Sequence, residues 1–135
     1  MTEKPDPLQI LVADAQQVNR DALAAVLKDR VMLDLQLGSV HLVRKPGAPI
    51  GARQAILLAL LGRKALSLLK ASEVDAISPK DLVEITGVKG NTVRPLLIKL
   101  SEEGLIVRRA EGYAVHNAAI HLAAGAINHS GADNR

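Results

Sequence analysis

The sequence predicts a mainly α-helical fold carrying small β-hairpins, and three observations point there. Apolar residues make up 48% of the 135 positions, yet Phe and Trp are absent and Tyr113 is the only aromatic. The core is therefore aliphatic, and its commonest members, Leu and Ala, favour helix. Apolar positions recur at helical spacing through residues 51–69, while short alternating stretches interrupted by glycine read as hairpins.

Taken in order, Met1–Pro7 reads as a disordered, charged lead, and Leu8–Val12 as a short apolar stretch of undecided type. Asp14–Arg30 reads as a helix, with Val18, Ala22, Ala25 and Val26 forming a stripe beside Leu23 and Leu27. The period changes at Val31: Val31, Leu33 and Leu35 alternate with Met32, Asp34 and Gln36, Leu37-Gly38-Ser39 turns the chain, and Val40–Val43 returns. Lys45–Pro49 forms a Pro/Gly linker. Gly51–Leu69 is the strongest helical segment, followed by a polar loop over Ala71–Ile77. Ser78 is a good helix cap, Pro79 suits the first helical position and Asp81 complements the dipole. That helix ends at Gly87; the next runs from about Asn91 to Glu103 and stops at Gly104. Leu105–Arg109 and Tyr113–His116 read as strands around Ala110-Glu111-Gly112. Ala118–Ile127 reads as an Ala-rich helix, with a frayed tail from His129.

Composition narrows the function. With no cysteine there is no disulfide framework, thiolate metal site or cysteine nucleophile. The charged N-terminus lacks the apolar centre of a signal peptide, and the longest apolar run, Ala55–Leu61, is too short to span a bilayer. A cytoplasmic address without membrane association is expected. One aromatic ring cannot supply the stacking platforms of a single-strand binder. Net charge is +3 and uneven: residues 51–109 hold ten basic and six acidic side chains, whereas residues 1–50 hold six of each. The excess is a modest electrostatic footprint for a polyanion.

The order helix, short helix, glycine turn, helix, hairpin coincides with the motif Ile77-Ser78-Pro79-Lys80-Asp81-Leu82-Val83-Glu84-Ile85-Thr86-Gly87-Val88-Lys89-Gly90-Asn91-Thr92-Val93-Arg94, continued by Glu102-Glu103-Gly104-Leu105-Ile106-Val107. These residues resemble winged helix-turn-helix DNA-binding proteins of the transcriptional-regulator type, over Gly51–Asn117. The resemblance divides the chain into an N-terminal helix and hairpin extension (1–45), a winged helix-turn-helix core (49–117), and a C-terminal helix with a disordered tail (118–135). It implies duplex DNA as partner, a recognition helix at about 91–103 and a wing at 105–116. Physically, Gly87 supplies the left-handed residue ending the first helix, and Val88 plugs the turn into the core. On the recognition helix Val93, Leu96, Leu97 and Leu100 fall inward, leaving Asn91, Thr92, Arg94, Pro95, Ile98 and Lys99 outward. Arg94 and Asn91 suit guanine and adenine edges; Lys89, Lys99, Arg108 and Arg109 suit phosphates, and Lys80 is a further candidate contact, with Thr92 and Pro95 beside them. Pro95 costs little if Asn91 caps the helix and more if Lys89 does.

Two other readings start from the same residues. Gly87-Val88-Lys89-Gly90 has the Gly-x-x-Gly form of the KH RNA clamp, although that module needs a strand directly before the first helix. A winged helix can also serve only as a protein-binding module. An enzyme is not expected: His41, His116, His121 and His129 lack metal-ligand spacing, and there is no phosphate-binding glycine loop. No cofactor or metal is implied. A homodimer is expected, because Leu23, Val26, Leu27, Ile120, Leu122 and Ile127 add apolar surface beyond the needs of the motif, and two linked half-sites bind more tightly than one.

Overall fold

The computed structural model describes residue 8 and residues 20–47, 49–69 and 74–133, with side chains as far as residue 127. The expected lead at Met1–Pro7, residues 9–12 of the next stretch, the first part of the helix from Asp14, the start of the loop at Ala71 and the last two tail residues lie outside these. Within the described residues the chain is helical, with two small antiparallel hairpins.

The first helix, α1, covers residues 20–27 and ends earlier than the expected Arg30. Asp29 takes φ 64°, a left-handed conformation that breaks the helix. The Arg30 guanidinium donates back to the Val26 carbonyl at 3.0 Å, satisfying one of the orphan acceptors at that end. Strands β1 (Val31–Asp34) and β2 (Ser39–Leu42) then pair in register Val31↔Leu42 to Asp34↔Ser39. Leu35, expected in the strand, belongs to the turn. Asp34 Oδ1 accepts from the Gln36 and Leu37 amides, both at 3.0 Å, and draws the chain round before Gly38 at φ 64°.

Helix α2 (Ala52–Leu68) is the spine of the core. Every residue from Ala55 to Gly62 is buried, so this stretch has no solvated face. It is enclosed by the first hairpin and the elements that follow it, as a helix apolar all round must be. Gly62 permits the closest approach: a Cβ there would lie 2.8 Å from Val40 Cγ1 and 3.3 Å from Val31 Cγ1.

Helix α3 (Pro79–Thr86) begins as its sequence dictates. Ser78 Oγ accepts from the Asp81 amide at 3.2 Å, Pro79 fills the first turn, and Gly87 ends the helix at φ 74°. Helix α4 (Gly90–Glu102) starts one residue before the expected Asn91, with Lys89 as its cap. Strands β3 (Val107–Arg109) and β4 (Gly112–Ala114) are shorter than expected, pairing Val107↔Ala114 through Arg109↔Gly112. Ile77 joins them, exchanging two 2.9 Å backbone hydrogen bonds with Tyr113. After a 3₁₀ turn at Asn117–Ala119, α5 (Ile120–Asp133) continues through most of the residues expected to fray.

Leu23, Val26, Leu27, Ile120 and Ile127 are buried in the same core as α2, α3 and α4. Their apolar surface is covered within one chain, and of the six residues expected to bring two copies together only Leu122, 63% exposed, is left outside. No helix of the described residues is long and apolar enough to cross a membrane.

Candidate nucleic-acid interface

The candidate surface is built from α4 outward. Val93, Leu97 and Leu100 are buried and Leu96 half-buried, at spacings of three and four, so they fix the rotation of the helix about its axis. Asn91, Thr92, Arg94, Pro95, Ile98 and Lys99 are consequently exposed. Because Lys89 caps the helix, Pro95 is its sixth residue and cannot donate to the Asn91 carbonyl. Pro95 is exposed, so water reaches that carbonyl and the defect is tolerated. A bidentate contact between Arg53 and Glu103, with Nη1 donating to Oε2 at 3.1 Å, ties the start of α2 to the end of α4. The hydrogen bond from Arg53 holds the Glu103 carboxyl below its ordinary range, against a smaller opposing effect of burial.

Between α4, the start of α3 and the second hairpin lies a cleft of about 480 Å³. It is lined by Arg94 and Ile98 of α4, by Ser78 and Pro79 at the start of α3, and by Arg108 and Tyr113 of the hairpin. It brings together Arg94, Arg108 and Arg109 of the expected contacts, and also Glu111, whose charge opposes an anion there. Lys80, Lys89, Asn91, Thr92, Pro95 and Lys99 lie outside the cleft, all solvent-exposed.

Arg109, one of the expected phosphate contacts, is ion-paired within the protein. Its Nε lies 3.1 Å from Asp75 Oδ1, and its Nη2 donates to Asp75 Oδ2 at 3.3 Å. The same Oδ2 accepts from Lys64 Nζ at 2.6 Å, and Lys64 also donates to Asn117 Oδ1 at 2.9 Å. Lys64 is only 4% exposed, on the stripe Ile56–Leu60–Lys64 of α2. Burying an ammonium without a counter-charge is prohibitive, so Asp75 is what permits Lys64 in the core. Burial pushes the Asp75 carboxyl up, but the hydrogen bond and charge of Lys64, joined by the charge of Arg109, outweigh it and leave it below its ordinary value.

This cluster was missed by sequence reasoning, although a lysine on an otherwise apolar helical stripe was its signal. Arg44 was missed as well. Its guanidinium donates to the Thr86 carbonyl at the C-terminal end of α3, where a cation complements the helix dipole. Within the Gly87-Val88-Lys89-Gly90 turn, Thr86 Oγ1 accepts from the Val88 amide at 3.1 Å and donates to the Leu82 carbonyl at 2.6 Å. Ahead of α3, Ile77 makes a single bridge rather than the strand a KH module requires. Among the described residues no three of His, Asp and Glu gather to hold a metal ion. No protein-family model matches the sequence, and no significant match was found among curated proteins or solved structures.

Proposed function

We propose that the protein binds duplex DNA as a winged helix-turn-helix regulator, with α4 entering the major groove and the second hairpin acting as the wing. The observation that carries this is the divided face of α4: one side locked into the core, the other exposing Arg94, which lines an open cleft together with Arg108. Helix-turn-helix proteins dock with such a helix, reading bases from its exposed face while neighbouring cations hold phosphates. Lys80, Lys89, Lys99 and Arg108 are the exposed cations placed for backbone, and Arg94 with Asn91 for base edges. Two copies on one site belong to this proposal on grounds of affinity, since one lightly charged motif binds weakly and linked half-sites multiply. Scattering of the complex should show about twice the 14.3 kDa chain mass in addition to the mass of the duplex.

Fluorescence anisotropy with duplex DNA, single-stranded DNA and RNA over a salt series tests the reading. Four to five neutralised phosphates give a slope of log affinity on log salt of about −4 for duplex. Arg94→Ala should cost about 1–3 kcal/mol at a preferred sequence and little elsewhere. Equal affinity for all three polymers, or none for duplex, overturns it. A protein-binding role is favoured by one separate observation: Met32, Leu35 and Leu37 at the first hairpin are all exposed, apolar and outside the cleft.

A further inference from the structure

Arg108 and Arg109 are neighbours on β3, both exposed, and chemically alike. Only one is tethered. Asp75 receives Arg109 from the hairpin on one side and Lys64 from the buried spine of the core on the other. Asn117, just beyond β4, is held by the same ammonium. The hairpin is therefore clasped at both its strands: β3 through Arg109 to Asp75, and the exit of β4 through Asn117 to Lys64. Ile77, two residues after Asp75, adds the backbone bridge to Tyr113. The segment before α3 thus joins the spine to the hairpin by both side chain and backbone.

On the duplex-binding reading above, we infer that Lys64, Asp75 and Arg109 form a clasp that sets the height of the wing over the cleft, making Arg109 a positioning residue and Arg108 the phosphate contact. A two-residue turn between short strands is marginal by itself, and its orientation comes from what holds it. Bidentate arginine–carboxylate geometry fixes direction as well as distance, and the buried lysine fixes the carboxylate in turn. Arg108, one position along, is free of that partner and lines the same cleft as Arg94.

The clasp makes a sign-reversing prediction. Asp75→Asn removes a negative charge beside a DNA-binding face, so simple electrostatics makes binding tighter; loss of the clasp makes it weaker. Asp75→Asn and Arg109→Ala should each weaken duplex binding by roughly three- to tenfold, the scale of one partly exposed charged pair. The salt slope should stay unchanged for Arg109→Ala and become shallower by about one for Arg108→Ala. Arg109→Lys should retain most of the affinity. In the free protein, amide exchange at Ile77 and Tyr113 should quicken in Arg109→Ala while the α2 amides keep their rates. A slope shallower by about one in Arg109→Ala, with tighter binding by Asp75→Asn, would overturn the clasp and leave duplex binding standing. If the wild-type protein binds no duplex, that reading fails separately. The exchange data then decide the clasp: faster wing amides support it and unchanged ones refute it.

Discussion

The two hairpins have the same secondary structure and attachments of different balance. The first, β1–β2, lies on the spine mainly by apolar contact, with Val40 and Val31 pressed onto Gly62, and Arg63 of α2 donates to the Gly38 carbonyl at 3.2 Å. Its far end carries Leu35 and Leu37, 58% and 79% exposed. The second, β3–β4, is bound by backbone bridging to Ile77 and by ion pairs to Asp75. Its outer surface is charged. Dispersion and hydrophobic contact hold a hairpin over a range of small displacements, whereas hydrogen bonds and ion pairs fix direction. The difference suits the first hairpin to support and the second to alignment.

The sharpest way to break that contrast is at the glycine where each hairpin is attached. A Cβ on Gly112 would sit 2.2 Å from the Ile77 carbonyl oxygen, and its φ of 149° excludes side chains as well. Backbone cannot yield there as a side chain can. Gly112→Ala should cost about 2–4 kcal/mol in denaturant unfolding, combining steric overlap with backbone strain. It should also remove duplex binding at protein concentrations where the wild type saturates. A loss under about 1 kcal/mol would mean that the Ile77 bridge is dispensable.

Acid should separate the hairpins next. Asp75 is held below its ordinary value of 3.8 in the folded chain, so its contribution is complete above that value and is lost as pH falls through the folded one. Protection of the Tyr113 amide from exchange, taken relative to its intrinsic rate at each pH, should therefore fall below about pH 4, ahead of amides in β1 and β2. Glu103, lowered in the same direction from 4.5, adds to global acid loss through α2 and α4. Asp75→Asn should remove the selective part and leave the global part. Simultaneous loosening of both hairpins in the wild type would refute a separate electrostatic attachment.

Much of this was legible because local chemistry and tertiary structure agree. Ser78, Pro79 and Gly87 delimit α3 by capping and backbone preference alone, and the divided face of α4 follows from the spacing of Val93, Leu97 and Leu100. The end of α1 was not legible, since Asp29 in the left-handed region is set by the hairpin it must join rather than by propensity. Nor was the start of α4, because Lys89 is a poor cap that context imposes over Asn91. At the candidate site, exposure of Arg94 and Arg108 could be read from periodicity. The pairing of Arg109 could not, because Asp75 is 34 positions away and tertiary contacts such as the bridge at Ile77 bring them together. Burial of five of the six surplus apolar residues was equally unreadable, as periodicity identifies an apolar face without naming what covers it.

A smaller effect is expected at Gly62, the α2 glycine against which the first hairpin packs. Gly62→Ala gains about 1 kcal/mol of helix propensity, while its Cβ meets valine methyls instead of backbone. Valine moves by rotating or by a small shift of the hairpin, so overpacking of about 1–3 kcal/mol is partly relieved. Net destabilisation should stay near 1 kcal/mol, well below that of Gly112→Ala. A larger loss than at Gly112 would invert the contrast, making the apolar attachment the rigid one.

The smallest effect should come from the exposed tip of the first hairpin. Leu35 and Leu37 lie in the turn, where the fold is set by Asp34 Oδ1 accepting two amides and by Gly38, not by either leucine. Replacing both by serine removes little buried area, so stability should change by no more than about 0.5 kcal/mol. Duplex affinity should not change, because neither residue lines the cleft between α4 and the wing. What should change is self-association at high concentration, since two leucines one residue apart and exposed to this degree are an adhesive surface. Sedimentation of the double variant beside the wild type reads that effect, and anisotropy on one duplex reads the other. Weaker duplex binding with unchanged stability would extend the interface onto the first hairpin and abolish the division between supporting and aligning elements.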